Sequence, residues 1–174
     1  PRILMGFEEQ VLYHDLKSES RGMRECKRLS KAFAASWAKL QSDDPGWPTD
    51  PVEQQFHNEM MDWLSFHRAM LIGELTNEML KYLRSNPLAP ERSEFKSILV
   101  DEYQDLNKAD QVLIDCLACS AMLTVVGDED QAIYSGLRFA QPEGIRDFPT
   151  GHPGTEDVPL DSCRRCPPRV IEIA

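Results

Sequence analysis

A chain of 174 residues, 41% hydrophobic and 28% charged, can bury a real core and suits one domain or a domain plus a subdomain. No apolar run approaches the roughly 20 residues that span a bilayer, and Pro1-Arg-Ile-Leu-Met-Gly6 is too short for a signal peptide, so a globular, cytoplasmic chain with no membrane partner is expected. Five cysteines leave an odd one out of any pairing, which argues against a secreted disulfide framework; a net charge of −10 argues against a wholly basic surface while permitting one basic face.

Residues 7 to 84 read as helical throughout, without strand-like alternation. Phe7 to Leu16 suits a first short helix. Met23, Cys26, Leu29, Phe33, Trp37 and Leu40 recur at steps of three or four, the spacing of one apolar helical stripe. Arg21, Arg24, Arg28 and Lys31 recur the same way as a basic ridge that could follow a phosphate backbone, although the plainer reading is a solvated face diluted by Glu19 and Glu25. Ser42 to Pro51 is dense in breakers and reads as a loop, with Pro51 suited to open the next helix. Val52, Phe56, Met60, Trp63, Leu64, His67 and Leu71 continue a stripe, Gly73 marks a break, and Leu75, Met79, Leu80 and Leu83 carry a further stripe to Asn86-Pro87. His57 and His67 are too far apart for a metal-binding pair on one helical turn, so packing or surface roles are expected.

Asn86-Pro-Leu-Ala-Pro-Glu-Arg-Ser93 is a second breaker cluster, and it sets the internal boundary: a helical unit over 1–90 and a unit of different character over 91–174. Ile98, Leu99 and Val100 form a short apolar run that reads as a central strand buried on both faces. Asp101 and Glu102 sit at its carboxyl end, where open α/β sheets bind ligands, and two successive acids there call for a cation and a reacting water. Ala109 to Ala121 follows as a helix with Leu113, Cys116, Leu117 and Ser120 on one face. Leu123 to Val126 is a second strand ending in Gly127-Asp-Glu-Asp-Gln131. That is the βαβ pattern of a parallel sheet, and both polar turns should face one crevice. Cys116-x-x-Cys119 and Cys163-x-x-Cys166 have zinc-like spacing, but one pair lies within a helix and the other is more than forty residues away, so buried or incidental thiols are the better reading.

Val100-Asp-Glu-Tyr-Gln-Asp-Leu-Asn107 and Val126-Gly-Asp-Glu-Asp-Gln-Ala-Ile-Tyr134 resemble motifs II and III of the UvrD/Rep/PcrA family of superfamily 1 DNA helicases. The tail Leu160-Asp-Ser-Cys-Arg-Arg-Cys-Pro-Pro-Arg-Val-Ile-Glu-Ile-Ala174 resembles that family's next motif. It places Arg165 on the motif arginine, while Cys163, Arg164 and Cys166 replace the usual Asn, Tyr and Ser. The resemblance implies an α/β fold over 91–174: the C-terminal half of the first RecA-like P-loop NTPase motor domain, with a parallel sheet, preceded over 1–90 by an all-helical insertion subdomain.

It also implies ATP and Mg²⁺ as cofactors. Asp101 would hold the metal, Glu102 would orient and deprotonate the attacking water, and Gln131 would sense the γ-phosphate or its water. Arg165 would lie against the γ-phosphate as an arginine finger. Gln104 and Asp105 would brace the turn by hydrogen bonds. Tyr134 and Arg138 would lie along the single-stranded DNA path, a ring at position 134 being able to stack on a base. After Tyr134 the chain reads Ser135-Gly-Leu-Arg-Phe-Ala140, one residue longer than the family's usual pattern.

None of the nine glycines is followed by lysine, so the phosphate-cradling Gly-x-x-x-x-Gly-Lys-Ser/Thr loop is absent from these residues. The expectation is a central piece of an ATP-dependent DNA helicase, inactive alone, whose parent couples ATP hydrolysis to translocation on single-stranded DNA and duplex unwinding in DNA repair or recombination. Its partners would be single-stranded and duplex DNA, ATP, and the remaining motor segments of the same polypeptide. A stand-alone DNA- or protein-binding module and the motor part of a helicase-nuclease remain open alternatives.

Overall fold

The computed structural model describes residues 1–131, 139–160, 165–167 and 169. Four helices build the first half: α1 (Phe7–Asp15), α2 (Met23–Ala38), α3 (Pro51–Phe66) and α4 (Leu75–Ser85). The stripe expected on α2 is buried as spaced, with Cys26, Leu29, Phe33 and Trp37 inside. On α3, Phe56, Met60 and Leu64 recur every four residues and face the same core. Pro51 does open α3. The Asp50 carboxylate caps it by accepting the N–H groups of Val52 at 2.9 Å and Glu53 at 3.0 Å, which stabilises such a helix by about 1 kcal/mol.

Phe33 sits at the centre of an aromatic cluster, with ring centroids 5.5 Å from Trp47, 6.0 Å from Phe56 and 6.4 Å from Trp37. His57 packs edge-on against the same ring at 5.2 Å, and burial holds its pKa below the usual histidine value. The histidine is a packing residue, as expected, and His67 lies against Trp63 at 3.9 Å.

The first half is not purely helical. Strand β1 (Arg2–Leu4) pairs in parallel with β2 (Ala69–Leu71), Leu4 lying opposite Leu71. The helical stripe drawn through His67 and Leu71 therefore stops early: α3 ends at Phe66, and Arg68 adopts φ 50°, a left-handed conformation that turns the chain out of the helix. Three-residue strands show no readable alternation, and the partner of β2 lies at the far end of this half. Arg21 also leaves its expected place on a basic ridge. It is 8% exposed, paired with Glu59, donating to the Leu16 carbonyl at 2.9 Å and lying 4.6 Å over the Phe56 ring. Arg24, Arg28 and Lys31 remain exposed on α2, Arg28 bridging to Glu25 at 2.7 Å.

Gly73 sits in a 3₁₀ turn (Ile72–Glu74) between β2 and α4, where a Cβ would come within 3.0 Å of the Ala34 Cβ. In the same turn Glu74 is 5% exposed and accepts the Leu71 N–H at 3.3 Å; burial raises its pKa above the usual carboxylate value. The folded state thus favours the protonated carboxyl, and this group's contribution to stability falls as pH rises through its folded pKa. Glu74→Gln, which keeps the acceptor and removes the charge, is expected to raise the melting temperature at pH 7. The gain should shrink towards pH 4, as read by paired thermal melts. A variant less stable at pH 7 would overturn this.

The second half docks through α5 (Lys108–Leu117), which packs against α4 and α2. Thr76 donates to the Asp110 carboxylate at 2.8 Å across that seam, and Asn107 caps α5 by accepting the Asp110 N–H at 3.0 Å. Strands β3 (Ser97–Val100) and β4 (Met122–Val125) pair in parallel, Val100 opposite Val125, with α5 between them in sequence. This is the expected strand, helix, strand order. Burial of β3 on both faces is not what the structure shows: Leu99 is 78% exposed and Met122 on β4 is 69% exposed, while Ile98, Leu123, Val100 and Val125 are half-buried. Only one face of the pair is covered among the described residues. No helix among them is long and apolar enough to cross a membrane.

Candidate functional site

The ladder of β3 and β4 runs straight into the two polar turns. Val126 N–H donates to the Val100 carbonyl at 2.8 Å, and Tyr103 N–H donates back to the Val126 carbonyl at 3.0 Å. The turns after the two strands are thereby tied together, as their placement at adjacent carboxyl ends predicts.

Asp101 and Glu102 are both exposed at this edge. Glu102 adopts φ 52° and ψ 43°, a left-handed conformation that costs a non-glycine residue about 1–2 kcal/mol and is held here by its surroundings. The Asp101 Oδ1 accepts the Glu102 N–H at 2.9 Å. A 3₁₀ turn follows (Tyr103–Asp105), anchored by Tyr103, which is 2% exposed and meets Phe148 edge-on at 5.6 Å. Burial, aided by the nearby Asp115 charge, pushes the Tyr103 phenol up to about 12, so it stays neutral and serves as an anchor.

Gln104 is 1% exposed, and both ends of its amide are engaged. Its Nε2 donates to Glu102 Oε2 at 2.7 Å, and its Oε1 accepts the Asp128 N–H at 3.1 Å. Asp128 continues the string: its Oδ2 accepts from Gln131 Nε2 at 2.7 Å and its Oδ1 accepts the Asp130 N–H at 3.0 Å. Gln131, in a 3₁₀ turn (Glu129–Gln131), is exposed. Glu102 and Gln131, read from separate motifs, therefore stand at two ends of one hydrogen-bonded chain.

Gly127 makes this approach possible. A Cβ there would lie 2.4 Å from Gln104 Oε1 and 2.7 Å from the Ile145 side chain, so a larger residue would displace one or both. Ile145 belongs to the single helical turn Glu143–Arg146, which packs behind the Tyr103–Asp105 turn. Gln104 braces the turn as expected. Asp105 does so through its backbone, its N–H donating to the Glu102 carbonyl at 2.9 Å, while its buried Oδ1 has no hydrogen-bond partner among the described residues.

Asp101 and Glu102 offer exposed carboxylate oxygens at one strand end, the ligand type a hard cation takes, and among the described residues no group of three or more His, Cys, Asp or Glu gathers to hold a metal ion. Arg165 is exposed, and no described hydrogen bond or ion pair joins it to Asp101, Glu102 or Gln131. Tyr134 and Arg138, expected on the DNA path, lie outside the described residues, as do Cys163 and Arg164. Cys116 and Cys119 are free thiols, and the Cys119 thiol donates to the Arg92 carbonyl at 3.1 Å. Reading the sequence missed Asp128 and Gly127 as site residues. The one available signal was the Gly-Asp pair directly after a strand, which suits a close backbone approach.

Comparison with known proteins matches residues 7–153 to the model of the UvrD/REP helicase N-terminal domain. DNA helicase II of Escherichia coli (strain K12) is 39% identical over 84 residues, covering 48% of this chain and 12% of that protein. DNA helicase II of Haemophilus influenzae is 33% identical over 134 residues, 68% of this chain and 18% of that protein. The ATP-dependent DNA helicase UvrD1 of Mycobacterium tuberculosis is 31% identical over 128 residues, 68% of this chain and 16% of that protein. The matched region thus spans less than a fifth of the length of these relatives.

Proposed function

The chain belongs to the UvrD/REP helicase family, and on that premise we propose that it supplies the water-activating corner of an ATP-driven motor that moves on single-stranded DNA and separates duplex strands. The observation that carries this is the string Glu102, Gln104, Asp128, Gln131, which joins two polar turns at the ends of paired parallel strands. A carboxylate and an amide held at fixed separation beside a strand end suit the chemistry of a base and a phosphate sensor.

The roles divide by chemistry. Asp101 would hold Mg²⁺ through the oxygen not occupied by the Glu102 N–H. Glu102 would accept a proton from water at Oε1, because Oε2 is taken by Gln104. Gln131 would donate to a terminal phosphate through the second N–H of its Nε2, the first being engaged by Asp128, and its Oε1 would accept from the attacking water. Arg165 would stabilise charge developing on the transferred group. Bound Mg-ATP would supply the electrophilic phosphorus and the cation that neutralises its oxygens. Tyr134 and Arg138 would line the DNA path. Residues 1–90 would form the insertion subdomain and 91–174 the C-terminal half of a RecA-like motor domain. The exposed face carrying Leu99 and Met122 supports that division, since a motor sheet would cover it with further layers of the same polypeptide. A role in DNA repair or recombination fits the same family.

Purified residues 1–174, which contain no Gly-Lys-Ser/Thr loop, are expected to show no metal-dependent ATP hydrolysis above a buffer blank. The full-length polypeptide should hydrolyse ATP and do so faster with single-stranded DNA. Hydrolysis by the 174-residue chain that vanished with Glu102→Gln would refute the need for the loop; a full-length protein inert with ATP and DNA would refute the motor.

A further inference from the structure

We propose that Gln104 is a positioning residue that locks Glu102 and Gln131 into one fixed relation, so that the two polar turns act as a unit. This rests on the motor function proposed above.

The chemistry of the position selects glutamine. Glu102 Oε2 requires a donor and the Asp128 N–H requires an acceptor, and the same side chain meets both, at 2.7 Å and 3.1 Å. Only one orientation of the amide satisfies both neighbours, because the reverse would set oxygen against carboxylate and NH₂ against N–H. Glutamate cannot donate to Glu102, methionine can do neither, and asparagine is one carbon short.

Burial makes the link stiff. At 1% exposure Gln104 has no water to exchange with, so breaking either bond would strand a polar group. The amide lies directly against Gly127, where a Cβ would come within 2.4 Å of Gln104 Oε1, and its backbone is held by the anchored Tyr103 and by the left-handed Glu102. On the far side, Asp128 passes the constraint to Gln131 through its own carboxylate. Glu102 is exposed and would otherwise sample several rotamers. The bond from Gln104 to Oε2 selects one of them.

The test uses the full-length polypeptide with Gln104→Met, Gln104→Glu and Gln131→Ala. Steady-state ATPase kinetics with single-stranded DNA, affinity for a fluorescent non-hydrolysable ATP analogue, and melting temperature are measured together. Gln104→Met is expected to lower kcat by about 10- to 100-fold, the scale on which misplacing a reacting group acts, while KM and analogue affinity change by less than about threefold. Combined with Gln131→Ala, the loss should be clearly smaller than the product of the two single losses, because both act on one string. A kcat within twofold of the parent, multiplicative losses, or a loss mirrored in KM and analogue affinity would overturn the proposal.

If Gln104→Met does not fold, Gln104→Glu carries the test. It keeps the shape and the acceptor for Asp128 N–H but turns a carboxylate towards Glu102, and the same selective fall in kcat is expected; an unchanged kcat would overturn the proposal. Glu102→Gln separates the two levels. If that variant turns over normally, the assignment of Glu102 as the base fails and the positioning role with it; if it is inactive while the Gln104 variants are active, only the positioning role fails.

Discussion

Glu102→Gln in the full-length polypeptide is expected to lower DNA-stimulated ATP turnover by about 10²- to 10⁴-fold, the range over which a positioned general base contributes. Affinity for ATP should change only a few-fold. The substitution is nearly isosteric, and the new side-chain oxygen can still accept the Gln104 Nε2 proton that Glu102 Oε2 accepts at 2.7 Å. The left-handed backbone and the turn are therefore retained, and what is lost is the capacity to take a proton from water. A loss of turnover without loss of binding marks an interaction used in the transition state. Single-turnover hydrolysis alongside equilibrium binding makes the measurement, and turnover within twofold of the parent would sink the assignment of Glu102 as the base.

Phe33→Ala is expected to destabilise the folded chain by about 3–5 kcal/mol, the usual cost of emptying a buried aromatic site. Phe33 is 2% exposed and meets Trp37, Trp47, Phe56 and His57, so the space it leaves is bordered by rigid rings from α2, α3 and the loop between them. Such neighbours collapse poorly into a cavity. For a chain of this length the loss corresponds to a fall in melting temperature of roughly 10 °C. Phe66→Ala is the control, because Phe66 is 82% exposed and should change stability by no more than about 0.5 kcal/mol. Equal losses for the two in urea unfolding would contradict the placement of the core. Because α2 also packs on α5, the helical core forms part of the platform on which the second half stands.

The helices were legible because their signals are local. The stripe Cys26, Leu29, Phe33, Trp37 and the Asp50-Pro51 start lie within a few turns of one another, and the structure uses them as spaced. Arg21 was misread for the complementary reason. Its spacing matches Arg24 and Arg28, yet Glu59 and Phe56 on another helix draw it inward. Charge at helical spacing says nothing about a partner on a different element. The pairing of β1 with β2 was invisible in the same way, since three residues carry no period and their register is set by a strand far along the chain.

At the site, residue order alone sets which chemical groups are present: Asp101 and Glu102 after one apolar run, Asp128 and Gln131 after another. Strand, turn and helix signals placed each set at a strand end, because backbone propensity and apolar period act over a few residues. That Gln104 reaches across from one turn to the other, that Gly127 leaves the space for it, and that Leu99 faces outward emerge only from the packed fold. Those facts depend on parallel pairing across the whole of α5, and on which layers cover the sheet. A hydrogen bond between residues 104 and 128 has no signature at either position until the strands that carry them are side by side.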